Sequence, residues 1–199
     1  MMTFTNERAP MVQNYDLEGV LNALRSGKLI LYPTDTVWSI GCDAHNVRAI
    51  AQLRKIKNTP VNEGLEILVS SIEMLKQYVA HLHPRLETLL IYHVRPLTVI
   101  YDQGRQLPNS ILDDTGKVSI RLVQDDYCRA LIETLGRPIV AEAASLREGY
   151  YPDSFGTISS DVIEQVDFVA RHRRTDRIRS ELSVVVRLDK DDELEFLRD

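Results

Sequence analysis

An α/β domain is the fold class this sequence predicts, and three observations carry the prediction. Short apolar runs that stop at prolines or polar turns alternate with segments whose apolar residues recur at helical spacing, the pattern of a sheet with helices on its faces. The chain has 199 residues, a length that suits a single hydrophobic core. Its composition, 44% hydrophobic and 27% charged, is that of an ordinary globular protein. A single domain over 1–199 is therefore expected, with a core from about 15 to 188 and an acidic C-terminal tail over 189–199 that holds Asp189, Asp191, Asp192 and Glu193.

The elements follow in order. Leu17, Val20, Leu21 and Leu24 form one helical stripe, opened by Asp16 and closed by Ser26-Gly27. Lys28 to Tyr32 is short, apolar and stopped by Pro33, which predicts a buried strand. A helix over Val47 to Lys57 ends before Pro60, because proline disfavours helical geometry in the residue before it. Leu65 to Val69 reads as a strand, and Ser70 with Glu73 has the form of a capping box opening a helix that carries Ile72, Leu75 and Val79. Pro84 is placed to start a helix through Leu86, Leu89 and Leu90; Leu97 to Tyr101 and Val118 to Leu122 are strands. Asp125 caps a helix carrying Cys128, Leu131, Ile132 and Leu135, which Gly136 and Pro138 stop. Pro138 to Glu142, Asp167 to Ala170 and Leu182 to Leu188 complete the strands.

Composition removes several function classes. Gly and Pro number 9 and 8 with no repeat, so fibrous and solenoid folds drop out. No signal-peptide core opens the chain and no segment approaches the roughly 18 apolar residues that span a bilayer. A cytoplasmic protein without a membrane partner is expected, as a monomer or weak dimer. Cys42 and Cys128 are too few for a disulfide framework or thiolate site and read as half-buried small apolar residues. The net charge of −5 argues against bulk attraction to nucleic acid. A local basic patch remains at Arg171, Arg173, Arg174, Arg177 and Arg179, either a solvated loop or a surface for RNA phosphates.

Few segments can carry chemistry. The turn Pro33-Thr34-Asp35-Thr36 sets two hydroxyls and a carboxylate after a strand; it can hold a small polar ligand or simply satisfy its own backbone. Arg54, Lys55 and Lys57 end a helix, where cations oppose the negative pole and where a phosphate could be held. Arg121 interrupts the apolar Val118-Ser-Ile-Arg-Leu122 and must face solvent, a carboxylate or a ligand. His81 and His83 lack the further ligands of a metal site, so no metal is expected. Walker-type loops, GxSxG elbows and HExxH are absent from the sequence.

With these segments in order, the chain resembles the YrdC/YciO family, the threonylcarbamoyl-adenylate synthases and their paralogues. The resemblance runs from about Leu21 to Leu188 and is strongest over the 17 residues Gly27-Lys-Leu-Ile-Leu-Tyr-Pro-Thr-Asp-Thr-Val-Trp-Ser-Ile-Gly-Cys-Asp43. Lys55-Ile-Lys57, Pro96-Leu-Thr98, Val118-Ser-Ile-Arg121, Pro138-Ile-Val-Ala141 and Ser183-Val-Val-Val186 follow in family order. The resemblance implies one α/β domain with a twisted mixed sheet and an open concave cleft, as in dihydroxybutanone-phosphate synthase. It implies a reaction of L-threonine, bicarbonate and ATP with Mg2+ that supplies tRNA modification. Carried over by position, Lys57 and Arg121 would be the catalytic residues, contacting phosphate and a substrate carboxylate or phosphates. Thr34, Asp35, Thr36, Trp38, Thr98, Ser145 and Ser183 would line the threonine and nucleotide pocket.

The departures from the pattern bear on mechanism. Active synthases carry K-x-R and S-A-N where this chain has Lys57-Asn58-Thr59 and Ala143-Ala144-Ser145. Losing one charged and two neutral hydrogen-bond donors would remove roughly 3–6 kcal/mol of stabilisation, on the order of 10²–10⁴ in rate or affinity. The chain thus resembles the paralogues without the full tetrad. Two functions follow as expectations: a weak or altered L-threonylcarbamoyladenylate synthase, or a non-catalytic double-stranded RNA- or tRNA-binding protein.

Overall fold

The computed structural model describes residues 17–176 and 181–199. The expected α/β architecture is present, as two mixed sheets rather than one. The first has the order β7-β2-β1-β8, from Glu142–Ala143, Trp38–Gly41, Ile30–Pro33 and Phe168–Val169. The second has the order β10-β9-β4-β5-β3-β6, from Leu194–Arg198, Val184–Leu188, Leu97–Tyr101, Val118–Leu122, Glu66–Val69 and Ile139–Val140. Parallel pairs β1/β8, β3/β5 and β4/β9 sit among antiparallel neighbours.

The expected strand over Pro138 to Glu142 is what divides the sheets. Its first half pairs with β3 and its second with β2, so the chain changes sheets at Ala141. Val140 N–H also donates to the Cys42 carbonyl at 2.9 Å, which ties the end of β2 to β6. Only glycine fits at position 41, because a Cβ there would stand 2.2 Å from the Val140 carbonyl oxygen.

Helices α1 (Glu18–Arg25) and α5 (Asp126–Leu135) bury Val20, Leu21, Leu24, Cys128, Leu131 and Leu135 in one cluster with Ile30, Tyr32 and Leu68. Asp16, expected to open α1, lies outside the described residues. Asp125 Oδ1 accepts the Cys128 N–H and Gly136 closes α5 at φ 75°, as the sequence predicts. Helices α2 (Val47–Lys57), α3 (Ile72–Tyr78) and α4 (Pro84–Tyr92) border the larger core, with a short α6 (Ser160–Glu164). The cap of α3 is displaced by one residue from expectation: Ser71, not Ser70, accepts the Met74 N–H. Both cysteines are fully buried.

Residues 189–199 are not a tail. Asp189 accepts the N–H groups of Asp191 and Glu193 in a tight turn, and β10 then pairs antiparallel with β9. The acidic residues that suggested a solvated tail belong to that turn, whose carboxylate replaces missing backbone partners. No helix among the described residues is long and apolar enough to cross a membrane.

Candidate functional site

The larger sheet carries a polar group in an otherwise apolar layer. Arg121 on β5 is paired across the sheet with Thr98 on β4, and Glu66 on β3 stands opposite Ser119, which puts Glu66 diagonal to Arg121 on the same face. Arg121 is buried, and its guanidinium is held on two edges. Its Nε and Nη2 lie 3.1 and 2.9 Å from Glu66 Oε1, while Nη1 pairs with Asp35 and donates to Thr36 Oγ1 at 2.9 Å. Burial opposes the charge, but Glu66 and Asp35 outweigh it and hold the Arg121 pKa above its ordinary value.

Around this group opens a cleft of about 200 Å3, lined among others by Thr36, Glu66, Arg121, Glu142, Ser183 and Arg198. Thr98 Oγ1 donates to Glu66 Oε2 at 2.6 Å, so the Ser183 hydroxyl, 2.7 Å away, supplies its proton to Thr98. Arg198 completes the chain of donors, with Nε on the Ser183 carbonyl at 2.8 Å and Nη2 on its hydroxyl at 2.9 Å. The loop 143–145 borders both this cleft and a larger hollow of about 570 Å3 that includes Ser145, Arg147, Tyr150 and Asp161.

Lys57, the last residue of α2, donates to the Ala143 carbonyl at 2.7 Å and to that of Ser145. Burial lowers its pKa, against the pull of Glu142. Glu142 in turn is pushed up to about 7, by burial first and by Glu66 as well, with Lys57 opposing. Arg54, on the same helix, is spent on two loops, donating to the carbonyls of Pro60 and Glu63 just after the helix and of Ser110 between β4 and β5.

The turn after β1 largely satisfies itself. Thr34 Oγ1 donates to the Val37 carbonyl at 2.7 Å and accepts the Thr36 N–H, and Asp35 Oδ2 accepts the Gln124 N–H. Of the expected pocket residues, Thr36, Arg121 and Ser183 line the cleft, and Thr98 touches it through Glu66. Ser145 lines the neighbouring hollow, where its hydroxyl closes a turn on Arg147. Trp38 is instead a core residue, 2% exposed with its ring 5.2 Å from that of Phe155. His83 caps α4 by accepting the Arg85 N–H, and among the described residues no group of His, Cys, Asp and Glu is arranged to hold a metal.

The arginine-rich segment is partly turned inward. Arg173 donates to the Thr34 carbonyl at 3.0 Å and pairs with Asp176 and Asp125, while Arg174 donates to the carbonyls of Ala170 and Val169 and lies over Phe155. Arg171 keeps interactions of its own, and Arg177 and Arg179 lie outside the described residues. Arg173→Ala is therefore expected to lower stability by about 1–2 kcal/mol in urea unfolding, a loss that a solvated arginine would not give.

Sequence reasoning missed Glu66, Glu142 and Arg198. A signal existed for Glu66, a carboxylate inside Leu65-Glu-Ile-Leu-Val69, which is the same anomaly that marks Arg121 in its strand.

Two mixed sheets, bridged by residues 139–143 and carrying a polar cleft, make this an α/β domain with a candidate binding site. The chain belongs to the Sua5, YciO and YrdC family, whose model, described as telomere recombination, matches residues 22–199. It is 30% identical over 134 residues to a threonylcarbamoyl-AMP synthase of Vibrio parahaemolyticus, a match spanning 66% of this chain and 72% of the relative. A synthase of the same name from Xanthomonas euvesicatoria is 30% identical over 139 residues, 68% and 74% of the two chains. The structure of P. abyssi Sua5 complexed with L-threonine superposes with a TM-score of 0.80 at 25% identity, covering 92% of this chain and 53% of that one. E. coli YciO gives 0.79 at 20% identity, covering 92% and 88%, and shares the fold. The chain thus spans about half the length of the Sua5 protein it matches.

Proposed function

We propose that this chain is a weak or altered L-threonylcarbamoyladenylate synthase, joining L-threonine and bicarbonate to the AMP of ATP with release of pyrophosphate and water, in the service of tRNA modification. The observation that supports this reading best is the gathering of Thr36, Arg121 and Ser183 on one cleft, with Lys57 bonded to the Ala143 carbonyl at its rim, in a chain related to named synthases. In this reading Lys57 contacts phosphate at the 143–145 loop and the hydroxyls of Thr36 and Ser183 hold the small substrate. A Mg2+ ion would arrive on the phosphates of ATP, since the protein offers no carboxylate cage among its described residues. Activity is expected to be low, because Thr59, Ala143 and Ser145 stand where synthases carry Arg, Ser and Asn, and because Lys57 is already taken up by two carbonyls.

The test is formation of threonylcarbamoyl-AMP from labelled bicarbonate, ATP and L-threonine. Slow product from the natural chain, and more from its folded Thr59→Arg/Ala143→Ser/Ser145→Asn variant, is the expected result. Silence from both, with RNA retained in a steeply salt-dependent way, would replace the enzyme by the RNA-binding reading.

A further inference from the structure

Three cations and three carboxylates stand at or beneath the cleft, Arg121, Arg198 and Lys57 against Asp35, Glu66 and Glu142. That balance suits a zwitterion, whose carboxylate turns to the guanidinium groups and whose ammonium turns to an anion. Two of the anions are already committed. Asp35 pairs with Arg121 and accepts the Gln124 N–H, while Glu66 gives Oε1 to the same guanidinium and Oε2 to the Thr98 hydroxyl. Glu142 is the third, and among the described residues it makes no ion pair. Its neighbour Lys57 donates instead to the Ala143 and Ser145 carbonyls.

Glu142 sits half-buried on β7, opposite Ile40 of β2, and lines the cleft with Thr36 and Ser183. A cleft of about 200 Å3 holds little beyond one small molecule, so a ligand held by the Thr36 and Ser183 hydroxyls lies against Glu142 as well. Burial and Glu66 of β3 favour the protonated carboxyl, whereas Lys57 and Arg54 of α2 and the Glu66 N–H favour the ionised one, and the group is poised at about 7. β2 brings no charge at Ser39 or Ile40, and Arg121 and Arg198 reach the cleft from β5 and β10. A carboxyl whose pKa lies near the working pH both takes up a proton and gives it back readily.

The reaction proposed above needs such a group. An ammonium has no lone pair, so L-threonine must lose a proton before its nitrogen attacks the carbon of bicarbonate. We infer that Glu142 is the general base of the cleft: its carboxylate takes one proton from the substrate ammonium, leaving a neutral amine and a carboxylic acid. The nitrogen lone pair then forms the N–C bond as the bond from carbon to the bicarbonate hydroxyl breaks. The departing hydroxide takes a second amine proton and leaves as water, the product is a carbamate, and Glu142 returns its proton to solvent. This inference rests on the synthase reading and adds a catalytic residue to it.

The first test is calorimetric titration of the full chain and its Glu142→Gln variant with L-threonine at pH 6, in buffers of different ionisation enthalpy, which counts protons. An ammonium binds the ionised carboxylate, so the natural chain is expected to release about one proton per L-threonine bound and the glutamine variant none. The second test follows threonylcarbamoyl-AMP from labelled bicarbonate across the same pH range as the stability of the two proteins. The kcat/KM of the natural chain is expected to level off above about pH 7, and that of Glu142→Gln to be about 100-fold lower there and to keep rising with pH. Where the glutamine variant does not fold, Glu142→Ala serves the same comparisons. Binding of L-threonine without proton release, or the same release and pH profile in the variant, overturns the assignment of Glu142 and leaves the synthase reading standing. Failure of the natural chain to bind L-threonine or to form product overturns both.

Discussion

Replacing Arg121 by methionine is expected to lower the unfolding free energy by about 3–5 kcal/mol, because it leaves the buried Asp35 carboxylate and the half-buried Glu66 carboxylate without their cation. Methionine keeps most of the arginine stem's packing volume, so the loss reads charge and hydrogen bonding more than a cavity. Asp35 cannot turn to water, being enclosed at the turn where it also accepts the Gln124 N–H. Glu66 has an outlet to the cleft and suffers less. The triple variant Arg121→Met/Asp35→Asn/Glu66→Gln should therefore be more stable than the single one, since no uncompensated charge remains buried. Urea unfolding of the two variants beside the natural chain checks both statements. A single-variant loss below about 1 kcal/mol would mean that the cluster behaves as a hydrated surface pair.

The contrast between Arg121 and Glu66 also shows what the sequence could and could not disclose. An arginine inside an apolar strand is visible locally, because strand residues alternate faces and a charge breaks the pattern. Its partner is 55 residues away and becomes legible only once β3 and β5 are known to be parallel neighbours in a given register. The same holds for Arg198, whose place beside Ser183 depends on the β9–β10 hairpin. Elements with strong local punctuation were readable: Pro33 stops β1, and Asp125 and Gly136 frame α5. The strands of two residues, β6, β7 and β8, carry too little periodicity to be divided between sheets in advance. The turn after β1 reads in sequence as either a ligand-holding turn or one that satisfies its own backbone; in the structure Thr34 closes the turn while Thr36 touches Arg121.

Glu142→Gln should change the pH dependence of stability. The Glu142 carboxyl in the folded chain is pushed up to about 7 from an ordinary 4.5, so between these values the folded state holds a proton that the unfolded state releases. Stability contributed by this group is present below pH 4.5 and is lost as pH rises through 7. The glutamine variant, which cannot ionise, should gain on the natural chain by up to about 3 kcal/mol between pH 4 and pH 8. Urea midpoints for both proteins across that range measure the gain, and parallel profiles would rule out the buried carboxyl as its source. The groups that act on Glu142 predict a further step. Burial and Glu66 raise its pKa, whereas Lys57 and Arg54 of α2 lower it. Lys57→Met removes an opposing charge, so the fall in stability should extend to higher pH in that background and disappear again when Glu142→Gln is added. Such reversal would tie the two side chains into one titrating unit at the edge of the cleft.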